Sequence, residues 1–114
     1  MTVATATIRS VRIGPASSIP IGEGRTYRIG DLSIAIYRTR SGEVYATQAA
    51  CPHRSGPLAD GVIGEGKVMC PLHGYTFRLA TGEPVGQECA PLRTFPVSVD
   101  AAGDVVLTID IESR

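Results

Sequence analysis

Two short motifs hold the side chains best suited to metal chemistry. Cys51-x-His53 is followed, after sixteen residues, by Cys70-x-x-His73, and together they contain both histidines and two of the three cysteines. Each motif offers one thiolate and one imidazole. Proline and glycine punctuate both stretches, Cys51 to Gly61 and Cys70 to Gly74, so both read as loops. Two thiolates and two imidazoles form a legitimate tetrahedral zinc set. Zinc motifs, however, usually pair cysteine with cysteine and histidine with histidine, whereas each motif here mixes the two. Mixing suits a two-iron cluster in which one iron takes both thiolates and the other both imidazoles. Under either metal the candidate ligands are Cys51, His53, Cys70 and His73.

The two motifs resemble the cluster-binding boxes of Rieske iron–sulfur proteins. The likeness continues into the flanks: residues 21–50 before the first box, and Gly82-Glu83 and Pro91-Leu92-Arg93-Thr94-Phe95-Pro96-Val97 after the second. Within that family the chain is most similar to soluble Rieske ferredoxins, especially the Rieske-type small subunits of assimilatory NAD(P)H nitrite reductases. The resemblance implies a [2Fe–2S] cluster with Cys51 and Cys70 on one iron and His53 and His73 on the other. It also implies a one-electron carrier working between a flavin reductase and a terminal enzyme. A nitrite reductase system is the first expectation and an aromatic-ring-hydroxylating oxygenase system the alternative. A non-redox binding module stapled by zinc is the second alternative.

High-potential members of the family join their two boxes by an extra disulfide. The matching positions here are Gly56 and Leu72, which cannot form it. The same proteins carry a serine two residues after the second histidine ligand and a tyrosine four after it. Tyr75 and Phe77 occupy those places. Around the motifs, Leu58, Leu72 and Pro91 are expected to keep water from the cluster, and Cys89 to be a small buried apolar residue.

At 114 residues the chain suits one domain, 1–114, with room for a real core. Eleven basic side chains balance eleven acidic ones, so nothing points to nucleic acid or a membrane surface. The basic residues lean toward the first half, with seven against three acidic in residues 1–54. No apolar run reaches the length of a membrane span, and the first residues lack a signal-peptide pattern. Three cysteines, two reserved for metal, leave no pair for a disulfide, which fits a cytoplasmic protein. No G-x-G-x-x-G fingerprint is present, so hydride transfer from NAD(P)H belongs to a partner. Both histidines are committed, so no set remains for a mononuclear oxygenase iron.

The elements that must position these loops read as strands. Residues 3–13 are rich in Val, Thr and Ile, and residues 25–29 form a second short run. Leu32, Ile34 and Ile36 alternate with Ser33, Ala35 and Tyr37, which predicts a strand with one buried face. Residues 43–48 return from a hairpin loop. Val62-Ile63 and residues 67–69 predict a hairpin across Gly64-Glu65-Gly66, and residues 75–79 a short strand. Residues 83–92 read as irregular, and Phe95, Val97, Val99 and then Val105, Leu107, Ile109 alternate in two last strands. The fold class expected is all-β: an antiparallel sandwich or barrel base carrying an inserted cluster-binding subdomain, roughly residues 48–90.

Overall fold

The structure, a computed structural model, describes residues 7–52, 56–72 and 74–111. His53 and His73 lie outside these described residues, as do residues 3–6 of the first expected strand. Among the described residues eleven strands form three antiparallel sheets. The first contains β1 (Thr7–Pro15), β11 (Asp104–Ile111) and β10 (Val97–Val99), in that order. The second runs β2 (Glu23–Ile29), β3 (Leu32–Arg38), β4 (Val44–Gln48), β9 (Thr94–Phe95). The third runs β5 (Val62–Gly64), β6 (Lys67–Met69), β7 (Thr76–Arg78), β8 (Pro84–Val85). Single 3-10 turns at Ala16–Ser18 and Leu58–Asp60 are the only helical pieces among the described residues.

Local chemistry explains the turns. Ile29 pairs with Leu32 across Gly30-Asp31, and Gly30 takes a φ of 61°, a left-handed value that glycine adopts without strain. Gly64 pairs with Lys67 across a two-residue loop, Glu65-Gly66, with φ of 53° and 74°. Positive φ at both central residues is the type I′ pattern, whose twist matches a hairpin. The expected hairpin between the two loops is therefore present. Residues 83–92 are less irregular than expected, because Pro84 and Val85 pair with Phe77 and Thr76 as an edge strand. Proline is tolerated there because an edge can spare its N–H.

One expectation is corrected in β3. Its residues were expected to bury one face, but Ile34, Ala35, Ile36 and Tyr37 are all fully buried. The reason is that the second sheet is a middle layer. Ile34 and Ile36 pack with Ala46, Phe95, Val105, Leu107 and Ile109 toward the first sheet. Ala35 and Tyr37 face the other way, into a core with Leu58, Val68, Phe77, Leu79 and Leu92. Period-two alternation marks a strand but cannot tell polar-and-exposed from small-or-hydroxylated-and-buried. The Tyr37 hydroxyl, the polar signal in that pattern, is hydrogen-bonded to Thr47 Oγ1 at 2.8 Å.

A polar strap closes the base of the third sheet and its loops. The Gln48 amide N–H donates to the Arg93 carbonyl at 2.8 Å, and the Arg93 N–H donates to Gln48 Oε1 at 2.7 Å. The chain thus leaves the middle sheet at residue 48 and rejoins it forty-five residues later at the same point.

Candidate metal centre

Two loops of similar construction project from this core. In the first, an isolated bridge joins Ala50 to Pro57, and the Cys51 N–H donates to the Gly56 carbonyl at 2.9 Å. In the second, the Cys70 N–H donates to the Tyr75 carbonyl at 2.7 Å, and the Gly74 N–H to the Cys70 carbonyl at 3.0 Å. Each cysteine amide is therefore bonded to the carbonyl five residues on. These bonds hold both loops closed without help from a metal. Gly74 sits at φ 74°, the left-handed turn that brings the second loop back into β7.

Both cysteines point into the same core. Cys51 and Cys70 are each 2% exposed and belong to one cluster with Tyr37, Leu58, Phe77 and Leu92. Gly56 connects the loops: a Cβ built on it would lie 2.7 Å from Cys70 Sγ and 3.1 Å from Leu72 Cγ. Its lack of a side chain is what lets the first loop approach the second cysteine. None of the three cysteines is in a disulfide. Thiolates gathered on two converging loops over an apolar floor, with a histidine two or three residues after each, fit the donor set of a two-iron cluster. The chemistry such a cluster supplies is the uptake and release of one electron.

Other expected neighbours divide. Leu58 is fully buried beneath the loops. Leu72 packs against Gly56 yet is 54% exposed, so it forms part of the outer wall. Pro91 faces solvent, and the buried residue of that segment is Leu92, 3% exposed. Leu92 is held inward because its N–H donates to the Gly82 carbonyl at 2.8 Å. Cys89 is half-buried and packed against the same core rather than fully enclosed. Phe77 is core, and Tyr45 and Tyr75 pack at its margin. Tyr37 is a residue the sequence reading gave no place beside the cysteines. It lies under them from the middle sheet, and its alternation with Ile36 was the only available signal.

Comparison with known proteins agrees with this construction. Residues 9–96 match the Rieske [2Fe-2S] domain. The chain is 33% identical over 86 residues to the ferredoxin component of the naphthalene 1,2-dioxygenase/salicylate 5-hydroxylase systems of Ralstonia sp, covering 72% of this chain and 79% of that one. It is 44% identical over 78 residues to the nitrite reductase [NAD(P)H] of Emericella nidulans, 60% of this chain but 7% of that protein. It is 40% identical over 81 residues to the oxygenase component of dicamba O-demethylase of Stenotrophomonas maltophilia, 65% of this chain and 23% of that protein. Thus it spans most of the small ferredoxin component but only a minor part of the two large enzymes. Among solved structures, the NirD protein of E. coli superposes with a TM-score of 0.80 at 26% identity, covering 90% of this chain and 98% of that one. With this match the zinc alternative gives way to iron and sulfide: the chain belongs to the Rieske [2Fe-2S] domain family, and is an electron carrier of that type.

Proposed function

We propose that Cys51 and Cys70 hold one iron of the cluster and His53 and His73 the other, and that the chain carries single electrons from a reductase to the large subunit of an NAD(P)H nitrite reductase. The observation that carries the ligand assignment is the placing of two buried cysteines on matched loops joined at Gly56. The histidines follow from their spacing after those cysteines. The 44% identity to the Emericella enzyme supports the nitrite reductase system. A second reading, ferredoxin of a ring-hydroxylating oxygenase, is supported by the 33% identity spanning most of the Ralstonia ferredoxin component. In both, one domain with its cluster-binding part at roughly residues 48–90 does the work, and a reducing cytoplasm suits its three thiols. Among the described residues no helix is long and apolar enough to cross a membrane.

The test has two stages. Anaerobically purified protein should hold two irons and two acid-labile sulfides per chain, with one zinc per chain as the contrary result. The reduced protein is then mixed rapidly with a siroheme nitrite reductase large subunit and, separately, with a ring-hydroxylating oxygenase, each taken from the source of this chain. Reoxidation by the first supports the nitrite reductase system, and reoxidation by the second alone assigns the chain to the oxygenase.

A further inference from the structure

The chain has two carboxamide side chains, Gln48 and Gln87, and no asparagine. Both bond main chain beside the cysteine loops, each with both ends of its amide. Gln48 Nε2 donates to the Ala50 carbonyl at 2.7 Å, and its Oε1 accepts from the Arg93 N–H at 2.7 Å. Gln87 Nε2 donates to the Thr76 carbonyl at 3.1 Å, and its Oε1 accepts from the Thr76 N–H at 3.4 Å, the longest of the four. A carbonyl only accepts and an N–H only donates, so each amide has one workable orientation, and a carboxylate in its place could not donate.

The two sites share one geometry. A peptide unit is rigid and trans, so its C=O and N–H point opposite ways and turn together. In the unit joining residues 50 and 51, Gln48 holds the Ala50 carbonyl, and at the other end the Cys51 N–H donates to the Gly56 carbonyl at 2.9 Å. In the unit joining residues 75 and 76, Gln87 holds the Thr76 N–H, and at the other end the Tyr75 carbonyl accepts from the Cys70 N–H at 2.7 Å. Each glutamine therefore fixes, from behind, the peptide plane whose far end engages a cysteine amide.

We propose that Gln48 and Gln87 are positioning residues that keep the Cys51 and Cys70 amides turned to protein carbonyls and away from the cluster sulfur atoms, and so hold the reduction potential down. A cysteine's own N–H is among the donors that covalent geometry places nearest its sulfur. Donation to sulfur stabilises the more negative, reduced cluster and raises its potential. At the first loop the clamp acts on the plane that carries the donor, and at the second on the plane that carries the acceptor. Releasing either plane lets a cysteine N–H leave its carbonyl and turn to sulfur. The role rests on Cys51 and Cys70 being iron ligands, as proposed above, and adds what sets the potential of the cluster they hold.

The test uses the full-length, cluster-loaded protein as wild type, Gln48→Met, Gln87→Met and the double variant. Methionine keeps the length of the side chain and removes both hydrogen-bonding ends. Redox titration should show the one-electron equilibrium moved toward the reduced form by about threefold in each single variant and about tenfold in the double, tenfold being about 59 mV. Protein isotopically labelled at the cysteine nitrogens, reduced and read by pulsed electron spin resonance, should show a stronger nitrogen coupling in the variants than in the wild type. Val105→Ala, at a site 1% exposed in the core on the other side of the middle sheet, should lower the thermal midpoint and leave both readouts at wild-type values. Glutamine variants with a lowered midpoint but wild-type potential and coupling would reduce the two residues to ordinary bracing and overturn the proposal. A raised potential with unchanged coupling would overturn it too, since loosened loops that merely admit water give that result. A wild type without two irons and two sulfides per chain would overturn the ligand assignment itself.

Discussion

Gly56 lies so close to the Cys70 sulfur that a single methyl group there would collide with it, at 2.7 Å, and would press on Leu72 Cγ and Cδ1 at 3.1 Å. The two cysteine loops thus meet through an absence of side chain. Leu72 and Gly56 are also the positions where high-potential relatives place their tying disulfide. Here the two residues meet through apolar contact instead of a covalent bond.

Gly56→Ala is accordingly expected to push Cys70 or its loop aside. Overpacking of a tight core site costs about 1–3 kcal/mol, and displacement of a ligand sulfur should also lower cluster loading. Iron per chain and the thermal midpoint should both fall, whereas Cys89→Ser, at a half-buried site off the loops, should change loading little. Full iron content and an unchanged midpoint in Gly56→Ala would contradict the close approach.

Tyr37 makes stability depend on alkaline pH. Burial pushes its phenol well above the ordinary value of 10.0; nearby Cys70 adds to the rise and the Thr47 hydrogen bond opposes it. Once pH passes the unfolded value near 10.0, the folded chain keeps a proton that the unfolded chain releases, and stability falls as pH rises. Below that pH the contribution is intact. Tyr37→Phe should lose about 0.5–1.5 kcal/mol at pH 7 for the hydrogen bond, yet show a shallower decline above about pH 10. Tyr27 and Tyr45 also have raised values and titrate in both proteins, so the difference between the two denaturation series isolates Tyr37.

The hairpin loop between β5 and β6 contains a residue ill suited to it. Glu65 occupies φ 53°, where a side chain other than Asn, Asp or Gly is strained by about 1–2 kcal/mol. Glu65→Asn should recover part of this and raise the thermal midpoint by a few degrees. A midpoint unchanged or lowered would show that the loop relaxes at no gain.

Much of this was legible in the residues. Strand positions followed from alternation, the hairpin from Gly64-Glu65-Gly66, and the paired loops from Cys51-Pro52 and Cys70-Pro71. What alternation could not reveal was the layering. Ala35 and Tyr37 read as the outward half of β3, because nothing local says that a second core will cover them. The Gln48–Arg93 strap was equally hidden, since it joins residues forty-five apart through one backbone bond and one amide side chain. Leu92 rather than Pro91 faces inward because of a backbone bond to Gly82, a tertiary detail. The assignment of His53 and His73 still rests on spacing, as both lie outside the described residues.

The reduction potential should lie near the bottom of the Rieske range, which runs from roughly −150 to +300 mV. Donors to the sulfur atoms stabilise the reduced, more negative cluster and raise its potential. By resemblance, the high-potential proteins supply two hydroxyls from positions that here hold Tyr75 and Phe77. Phe77 has none and is fully buried between Val68 and Pro84, where no water can stand in for it. The phenol oxygen of Tyr75 is too far from its own backbone to occupy the place of a serine hydroxyl. The Cys51 and Cys70 amides offer no substitute, because their N–H groups are bonded to the Gly56 and Tyr75 carbonyls. Phe77→Tyr combined with Tyr75→Ser should raise the potential. Each tenfold change in the one-electron equilibrium appears as about 59 mV, so titration followed by the visible spectrum resolves it. The new phenol enters a packed core, so the thermal midpoint of the variant should fall even as its potential rises. A wild-type potential above about +200 mV, in the upper part of the family's range, would sink the argument from missing hydroxyls.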